Sequence, residues 1–397
     1  MVLFLVLTVG LVGLWIYSSV AGKEELLVYE FFQLPTVALT ELFDNHGEDD
    51  GEPDVDELLL QDALEKGQNA RIVSCSSEGK MTFLFAGDVL LDDNYAVMST
   101  YKNKGGNIEQ AFSYALIQKM NGADVFMVNN EFTFTNRGTP TAGKQFTFRA
   151  QPSDISFFTE MGVDMVSVAN NHIYDYGEIS LLDTLDVLQE TNITYVGAGK
   201  NLEEAMRPAY LIANGMKIAV VSATQIERNG TPDTKEATAE TPGVLRCMDT
   251  KHLLATIAEA EENSDFTILY IHWGTESQES IDWLQEEQGK IYAEAGVDLI
   301  IGDHPHCLQK IDVVSGVPVI YSLGNFWFNS KTQNSCMIEA TFSQKKLESL
   351  QFIPCLQSGC YTRLLEGEEA DRLIKHMREI SPNVIIDEQG YVTYGLK

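Results

Sequence analysis

The chain has 397 residues with a formal net charge of −31, and 44% of its residues are hydrophobic. This length and hydrophobic content allow one large layered domain with a short appendage as well as two domains. The negative charge argues against a protein that binds nucleic acid irrespective of sequence, because such proteins need clustered Lys and Arg to contact phosphates. We therefore expect no nucleic-acid partner, and we expect polyanions to be repelled on average.

Residues 1–22 predict a membrane-spanning segment. The first 20 residues carry no charged side chain, and about 20 apolar residues are enough to cross a bilayer. Ser19-Val20-Ala21 resembles a signal cleavage site, but no Lys or Arg precedes the apolar run, so a removable signal peptide is not clearly favoured over an uncleaved anchor. We favour the anchor, which makes the chain a single-pass protein of the cell membrane. A buried core helix is the alternative.

Residues 23–78 predict an acidic linker. Residues 41–57 contain nine acidic side chains and no basic one. A run of this kind is typical of a solvated segment that does not form a site. The folded domain is accordingly predicted to occupy residues 79–397.

From residue 81 onward, short apolar runs alternate with stretches of helical periodicity, which is typical of a parallel or mixed sheet covered by helices. A local unit recurs at Gly122, Gly162 and Gly296, where each glycine is followed by a second small or apolar residue, an Asp and an apolar run. We expect the glycine to end a helix in the left-handed conformation and the run to form a buried strand. Helices are predicted at 108–120, 153–161, 179–190, 252–262 and 280–295, and further strands at 217–222, 266–271 and 317–321.

Polar residues follow the predicted strands at the point where each strand ends. Asp88 follows the first apolar run, Glu131 the second, and Asn171-His172 the third. The later runs precede His272 and the sequence Asp303-His304-Pro305-His306. Because ligands of open α/β sheets bind beyond the carboxyl ends of the strands, we expect these side chains to converge at one edge.

Such a convergence of three histidines, two carboxylates and asparagine amides supplies ligands for first-row metal ions. Imidazoles suit Zn, Fe or Mn, and carboxylates suit Mn or Mg, whereas no thiolate belongs to the set. A divalent ion lowers the pKa of a bound water towards about 7 and polarises a phosphoryl or carbonyl oxygen. The predicted chemistry is therefore hydrolysis or group transfer.

The order of these motifs resembles that of the CapA family of bacterial capsule-synthesis proteins over residues 81–328. The matching motifs are Gly87-Asp88, Asn130-Glu131, Asn170-Asn171-His172, Asp175, Gly177, His272-Trp273-Gly274, Glu276, His304-Pro305-His306 and the run from Tyr321 to Phe326. The resemblance implies an α/β fold class, a layered αββα metallophosphatase-like sandwich with mixed sheets, here preceded by the N-terminal transmembrane helix. It also implies a role in poly-γ-glutamate capsule synthesis, with the domain on the extracytoplasmic side of the membrane.

Carried over residue by residue, the resemblance implies a ligand set, a proton donor and substrate contacts. The metal ligands are Asp88, Glu131, Asn171, His272, His304 and His306. His172 is the general acid, with Asp175 orienting its ring and raising its pKa. Trp273, Glu276 and Asn325 are candidate substrate contacts, although Trp273 also fits a core position and Asn325 a loop-stabilising one.

The chain departs from the metallophosphatase pattern at the first motif. Those enzymes begin with Asp-x-His, whereas Val89-Leu90 follows Asp88 here, so one or two ions remain compatible, with Asp92 or Asp93 as a substitute ligand. The identity of the metal among Mn, Zn, Fe and Mg is open.

Two functions follow from this ligand set. One is a metal-dependent hydrolase or transferase acting on an anionic polymer or a phosphoester. The other is a non-catalytic accessory or scaffold subunit that binds the polymer or a membrane-embedded synthase. Because no phosphate-binding Gly-x-x-x-x-Gly-Lys-Ser/Thr loop is present, the synthase subunits are expected to use the ATP.

Overall fold

The computed structural model describes residues 54–226 and 234–394. The predicted anchor and most of the predicted linker lie outside these residues. Numbered along the chain, the helices are α1 (Val55–Glu65), α2 (Ala96–Asn103), α3 (Tyr114–Asn121), α4 (Ile155–Met161), α5 (Glu178–Glu190), α6 (Leu202–Met206), α7 (Lys251–Asn263), α8 (Trp283–Glu294) and α9 (Gly367–Ile380). Short 3-10 helices occupy Ile108–Gln110 and Pro152–Asp154.

The strands of the described residues form two large sheets and three two-stranded ones. In chain order they are β1 (Asn69–Ile72), β2 (Lys80–Val89), β3 (Val125–Asn130), β4 (Thr133–Phe134), β5 (Arg149–Ala150), β6 (Met165–Ser167), β7 (Thr194–Val196), β8 (Ala198–Gly199), β9 (Ala209–Ala213), β10 (Met216–Thr224), β11 (Gly243–Val244), β12 (Phe266–His272), β13 (Leu299–Asp303), β14 (Ile311–Val314), β15 (Val317–Ile320), β16 (Asn325–Trp327), β17 (Gln333–Ser343), β18 (Lys346–Ser358), β19 (Tyr361–Leu364), β20 (Ile385–Ile386) and β21 (Val392–Thr393).

Both large sheets are mixed. The eight-stranded sheet runs β19-β18-β17-β2-β3-β6-β7, with β16 also paired to β2, and the seven-stranded sheet runs β1-β9-β10-β12-β13-β15-β14. In the first, β2, β3, β6 and β7 are parallel, and in the second, β10, β12, β13 and β15 are parallel. The parallel strands of each sheet therefore end at a common edge.

The two sheets pack face to face. Alternate residues of each strand point to opposite sides, so each strand contributes to two cores. Phe83 and Phe85 of β2 share one core with Val220 of β10. Leu84 of β2 points the other way, into a core that includes residues of α2 to α5. Val221 of β10 likewise points away from the shared core, into one that includes residues of α7 and α8. Helices thus cover the outer face of each sheet.

The fold class predicted above is wrong in one respect, the transmembrane helix in front of the sandwich. Among the described residues no helix is long and apolar enough to span a membrane. The longest of them, Gly367–Ile380, has 14 residues, and a span needs about 20. The same finding contradicts the prediction of a single-pass protein of the cell membrane with an extracytoplasmic domain. The finding that replaces it is a mixed α/β fold.

The segment predicted as linker contains folded structure. Helix α1 is capped by Asp54, whose carboxylate accepts a hydrogen bond from the Asp56 amide. The Asp56 carboxylate accepts the backbone amides of Asn214 and Gly215 in the turn between β9 and β10, and β1 pairs with β9. The folded unit therefore begins before residue 79, because some of the acidic side chains satisfy backbone donors.

The recurring glycine unit takes two forms. Gly162 and Gly296 have φ angles of 78° and 112°, so both adopt the left-handed conformation expected after a helix. Gly122 has φ −90° and does not. The helix predicted at 108–120 is interrupted, because Ser113 accepts the Leu116 amide as an N-cap and starts α3 afresh.

Candidate metal centre

Strand ends and the loops that follow them bring the predicted ligands to one place. Asp88 near the end of β2 lies opposite Asn129 of β3. His272 and Asp303, the last residues of β12 and β13, are register partners. Strand β16 places Asn325 beside Asp88. The site therefore forms where the carboxyl ends of the parallel strands of both sheets meet.

Glu131 is fully buried at the centre of this site. Neither carboxylate oxygen has a hydrogen-bond partner among the residues the structure describes. The Nε2 atoms of His272 and His306 lie 3.8 Å from Glu131 Oε1, and His172 Nε2 lies 4.0 Å away. Burial, followed by the charge of Asp88, raises the pKa of Glu131 well above its usual value. Burying a carboxylate without partners costs free energy. A bound cation would offset this cost.

Three overlapping groups of side chains can hold a metal ion. They are Glu131 with His272 and His304, Asp88 with Glu131 and His306, and Asp88 with His272 and Asp303, and within each group the ligand atoms lie within 4.8 Å of one another. Asp303 Oδ2 is also buried without a hydrogen-bond partner in the described residues. Nitrogen and oxygen ligands in this mixture fit Mn, Fe or Zn. The residues present therefore fit a divalent metal ion.

His272 is held in a form suited to metal binding. Its Nδ1 lies 2.9 Å from Asp303 Oδ1, and its Nε2 lies 2.8 Å from Asn171 Oδ1 and 3.0 Å from His304 Nδ1. Burial lowers the pKa of His272 to about 3, which keeps the ring neutral, as a ligand must be. A carboxylate on the second ring nitrogen is typical of metal-binding histidines. Asp303 has this role; the sequence predicted that it lies at this edge but assigned it no function.

His306 and Asp88 form a second pair. His306 Nδ1 lies 3.0 Å from Asp88 Oδ2 and 2.9 Å from Asn325 Oδ1. Burial opposes the charge of each, but the contact between them outweighs it, so the pKa of Asp88 is lowered and the pKa of His306 is raised. Asn325 is 1% exposed. Its Oδ1 therefore orients His306, and the substrate contact stays a prediction.

His304 and His306 both have unusual backbone conformations. Their φ angles are 93° and 56°, in a region that residues other than glycine rarely adopt. Backbone strain of this kind costs on the order of 1–3 kcal/mol per residue and is concentrated at functional sites. Both imidazole rings have a nitrogen atom within 4.8 Å of a Glu131 carboxylate oxygen.

His172 lies at the edge of the site. Its Nδ1 is 2.7 Å from Asp175 Oδ2, and its ring stacks on Phe148 with 4.2 Å between centroids. Burial lowers the pKa of His172, and the Lys144 charge opposes the favourable effect of Asp175. Asp175 does act to raise the pKa of His172, as predicted, but burial has the larger effect and the pKa stays below its usual value.

Lys144 is a residue that sequence reasoning missed. Its side chain is 4% exposed and its Nζ contacts both Asp175 Oδ1 and the carbonyl oxygen of Asn171. The residue lies in the loop between β4 and β5, away from every motif that follows a strand. No signal in a single sequence distinguishes it from a surface lysine.

The sequence model of the family described as "Bacterial capsule synthesis protein PGA_cap" matches residues 82–330. The chain belongs to this family. It is 30% identical over 244 residues to capsule biosynthesis protein CapA of Bacillus anthracis, covering 59% of this chain and 58% of that protein. It is 32% identical over 202 residues to the PGA biosynthesis protein CapA of Bacillus subtilis, covering 50% and 52%.

A probable polyglutamine synthesis accessory protein of Mycobacterium tuberculosis is 27% identical over 208 residues, covering 51% of this chain and 55% of that protein. The chain thus spans little more than half the length of these relatives. Among solved structures, TT1561 of Thermus thermophilus aligns with a TM-score of 0.38 and 11% identity, covering 66% of this chain and 98% of that one.

In this family member a cavity of about 440 Å³ opens over the centre. Lys144, Asn171, His172 and His304 line it, and Phe146 and Glu276 are exposed around it. Glu276 thus lies where a substrate contact was predicted, and that role stays a prediction. The cavity gives a substrate access to His172.

Three other predicted residues lie away from the centre. Trp273 is fully buried, stacks on Tyr321 and donates from Nε1 to the Tyr321 carbonyl oxygen at 2.9 Å. Its role as a substrate contact is corrected, because it follows His272 and points to the opposite face of the sheet. Asp92 accepts the amide of Arg149 and Asp93 pairs with Lys102, so neither belongs to the ligand groups.

Proposed function

We propose that the chain is a metal-dependent hydrolase or transferase that acts on a glutamate-based capsule polymer. The observation that carries the proposal is Glu131, a buried carboxylate without hydrogen-bond partners in the described residues, beside three imidazoles. Membership of the capsule-synthesis family supports the substrate class, since the relatives are named for capsule and poly-glutamate synthesis.

The side chains that would hold the ion are Asp88, Glu131, Asn171, His272, His304 and His306. A divalent ion at such a place activates water for attack and polarises a phosphoryl or carbonyl oxygen. The positive charge of a bound ion would offset the acidic surface and favour an anionic substrate.

His172 moves the proton in this proposal. Its lowered pKa makes the resting ring neutral, and Nδ1 donates to Asp175, so Nε2 carries the lone pair. Nε2 then accepts a proton from the attacking nucleophile and returns it to the leaving group. The resting ring is therefore a base first and an acid second, whereas the sequence predicted an acid only.

An accessory role is the second candidate. Val89 and Leu90 follow Asp88, where metallophosphatases have Asp-x-His. Both side chains are buried in the apolar core, so neither supplies a metal ligand. The Mycobacterium tuberculosis relative is named an accessory protein. In this alternative the chain binds the polymer or its synthase subunits without turnover, and the ion is structural.

The test is metal content of the full chain by elemental mass spectrometry after equilibration with Mn²⁺ or Zn²⁺. The site variant is His304→Ala with His306→Ala. The matched control is His252→Ala with His376→Ala, because these two histidines pair with Glu236 and Glu279 away from the centre. We expect one or two equivalents in wild type and control, and none in the site variant.

A folded wild type that holds no metal would overturn the proposal. Turnover of γ-glutamyl oligomers or phosphoesters that disappears in His172→Ala supports the enzyme. Metal binding without turnover of either substrate supports the accessory role.

A further inference from the structure

We propose that Lys144 is a positioning residue of the metal centre, which holds the Asn171 backbone and the Asp175 carboxylate together at the wall of the cavity. The inference rests on the proposed metal centre, because Asn171 is one of its ligands. It assigns a role to a residue outside every motif that the sequence offers.

Lys144 is buried, with a side chain that is only 4% exposed. A lysine is seldom buried without a partner. Its ammonium contacts two acceptors, Asp175 Oδ1 and the Asn171 carbonyl oxygen. The ammonium therefore links Asn171, a candidate metal ligand, to Asp175, the partner of His172.

Each of these acceptors controls a different group of the site. Asn171 Oδ1 lies 2.8 Å from His272 Nε2, facing the centre, while the carbonyl oxygen of the same residue is bound by Lys144. The second oxygen of Asp175 lies 2.7 Å from His172 Nδ1. A displacement of the Lys144 ammonium would thus move a candidate ligand and the His172 ring together. Groups behind the ligands typically change metal affinity by about 10–100-fold.

The turn that carries Asn171 and Asp175 has other anchors. The Phe148 amide donates to Asp175 Oδ2 at 2.6 Å, and the Thr141 amide donates to the Asp175 carbonyl oxygen at 2.8 Å. The Asn170 side chain accepts the His172 amide at 3.0 Å. The turn therefore keeps these contacts without Lys144, and a variant at this position is expected to fold.

A simpler role for Lys144 is neutralisation of the buried Asp175 charge. The two roles differ in a double variant. Lys144→Met with Asp175→Asn removes both charges and keeps both shapes, so stability should recover relative to either single variant. If Lys144 acts only by neutralisation, metal binding recovers too. If it positions Asn171, metal binding stays impaired.

The experiment uses the full chain in four forms: wild type, Lys144→Met, Asp175→Asn and the double variant. Affinity for Co²⁺ is measured by titration, and the visible spectrum of the Co²⁺ complex reports the ligand set independently of activity. Thermal unfolding reports folding. Lys200→Met is the matched control, because Lys200 also pairs with a carboxylate, Asp186, but on the surface.

We expect Lys144→Met and the double variant to bind Co²⁺ about tenfold more weakly than wild type, with an altered spectrum. Lys200→Met should retain the wild-type spectrum. A double variant that binds Co²⁺ as wild type does overturns the positioning role and leaves the metal centre intact. A wild type that binds no Co²⁺ overturns the metal centre itself and the inference with it.

Discussion

Two polar clusters lie side by side at the ends of the strands, one around His172 and one around Glu131. They differ in whether their polar atoms have partners within the protein. Around His172, the charges of Asp175 and Lys144 are paired and the Asp175 oxygens accept several donors. Around Glu131, carboxylate oxygens are buried without hydrogen-bond partners in the described residues. The protein satisfies the first cluster by itself, whereas the described residues leave carboxylate oxygens of the second without a hydrogen-bond partner. The difference indicates where a ligand belongs, since native proteins rarely leave buried acceptors unsatisfied.

The largest expected effect comes from breaking the complete cluster. Asp175→Asn leaves the Lys144 ammonium buried without its counter-charge, and removing one partner of a buried pair costs about 3–5 kcal/mol. We expect chemical denaturation to show a loss of this size. The control is Asp186→Asn, whose pair with Lys200 is exposed and should contribute less than about 1 kcal/mol. Equal losses in the two variants would contradict the distinction between the clusters.

The incomplete cluster should respond in the opposite direction. Glu131→Gln replaces a buried carboxyl group that has no hydrogen-bond partner within the described chain by a neutral amide of the same shape, so the metal-free protein should keep its stability or gain on the order of 1 kcal/mol. The same variant removes a ligand, and we expect metal affinity to fall about 100-fold. Calorimetric titration and thermal unfolding measure the two effects. Glu190→Gln, at an exposed position, should change neither; a loss of stability in Glu131→Gln would mean that the site is complete without metal.

A pH series sharpens the comparison. Burial raises the pKa of Glu131 and of Asp303 above that of a free carboxyl group. A folded-state pKa above the unfolded one stabilises the protein at low pH, and this stability is lost as pH rises through the folded pKa. The contribution of these two groups to the stability of the metal-free protein should therefore fall on going from acid to neutral pH, and added metal should remove that fall. Thermal unfolding across the pH range, with and without Mn²⁺, measures both.

The same pKa shifts predict proton release on metal binding. Glu131, Asp303 and the protonated His306 ring lose protons when a cation binds. Affinity should rise with pH by about tenfold per unit for each proton released. Calorimetry in two buffers of different ionisation enthalpy counts the protons, and a count of zero would contradict the shifts.

The smallest expected effect on the centre comes from Trp273→Phe. The indole is buried in the core behind the sheet, so we expect a stability loss of about 1 kcal/mol and unchanged metal affinity. Binding and unfolding measurements on the one variant separate the two. A change in metal affinity would place Trp273 nearer the centre than its packing indicates.

The convergence of ligands could be predicted from the sequence because the carboxyl ends of parallel strands share an edge, so Asp88, Glu131 and His272 could be placed without coordinates. Lys144 could not be placed, because its contact with Asp175 spans 31 residues. Nor could the sequence show that Trp273 is core, since that depends on which face each strand buries. The charge composition around Asp56 predicts a linker. It does not show that the Asp56 carboxylate accepts the amides of Asn214 and Gly215, which lie far away in sequence.

Strand β16 pairs with β2, which places Asn325 beside Asp88, and His306 contacts both. The contact between His306 and Asp88 closes over a separation of 218 residues. Contacts at such separations form late in folding, because the entropy cost of closing the long loop must be overcome first. During synthesis β2 is also made long before its partner β16. A nascent chain that ends before β16 therefore has no complete centre. The proposed metal centre would therefore be complete only once the chain has folded through β16.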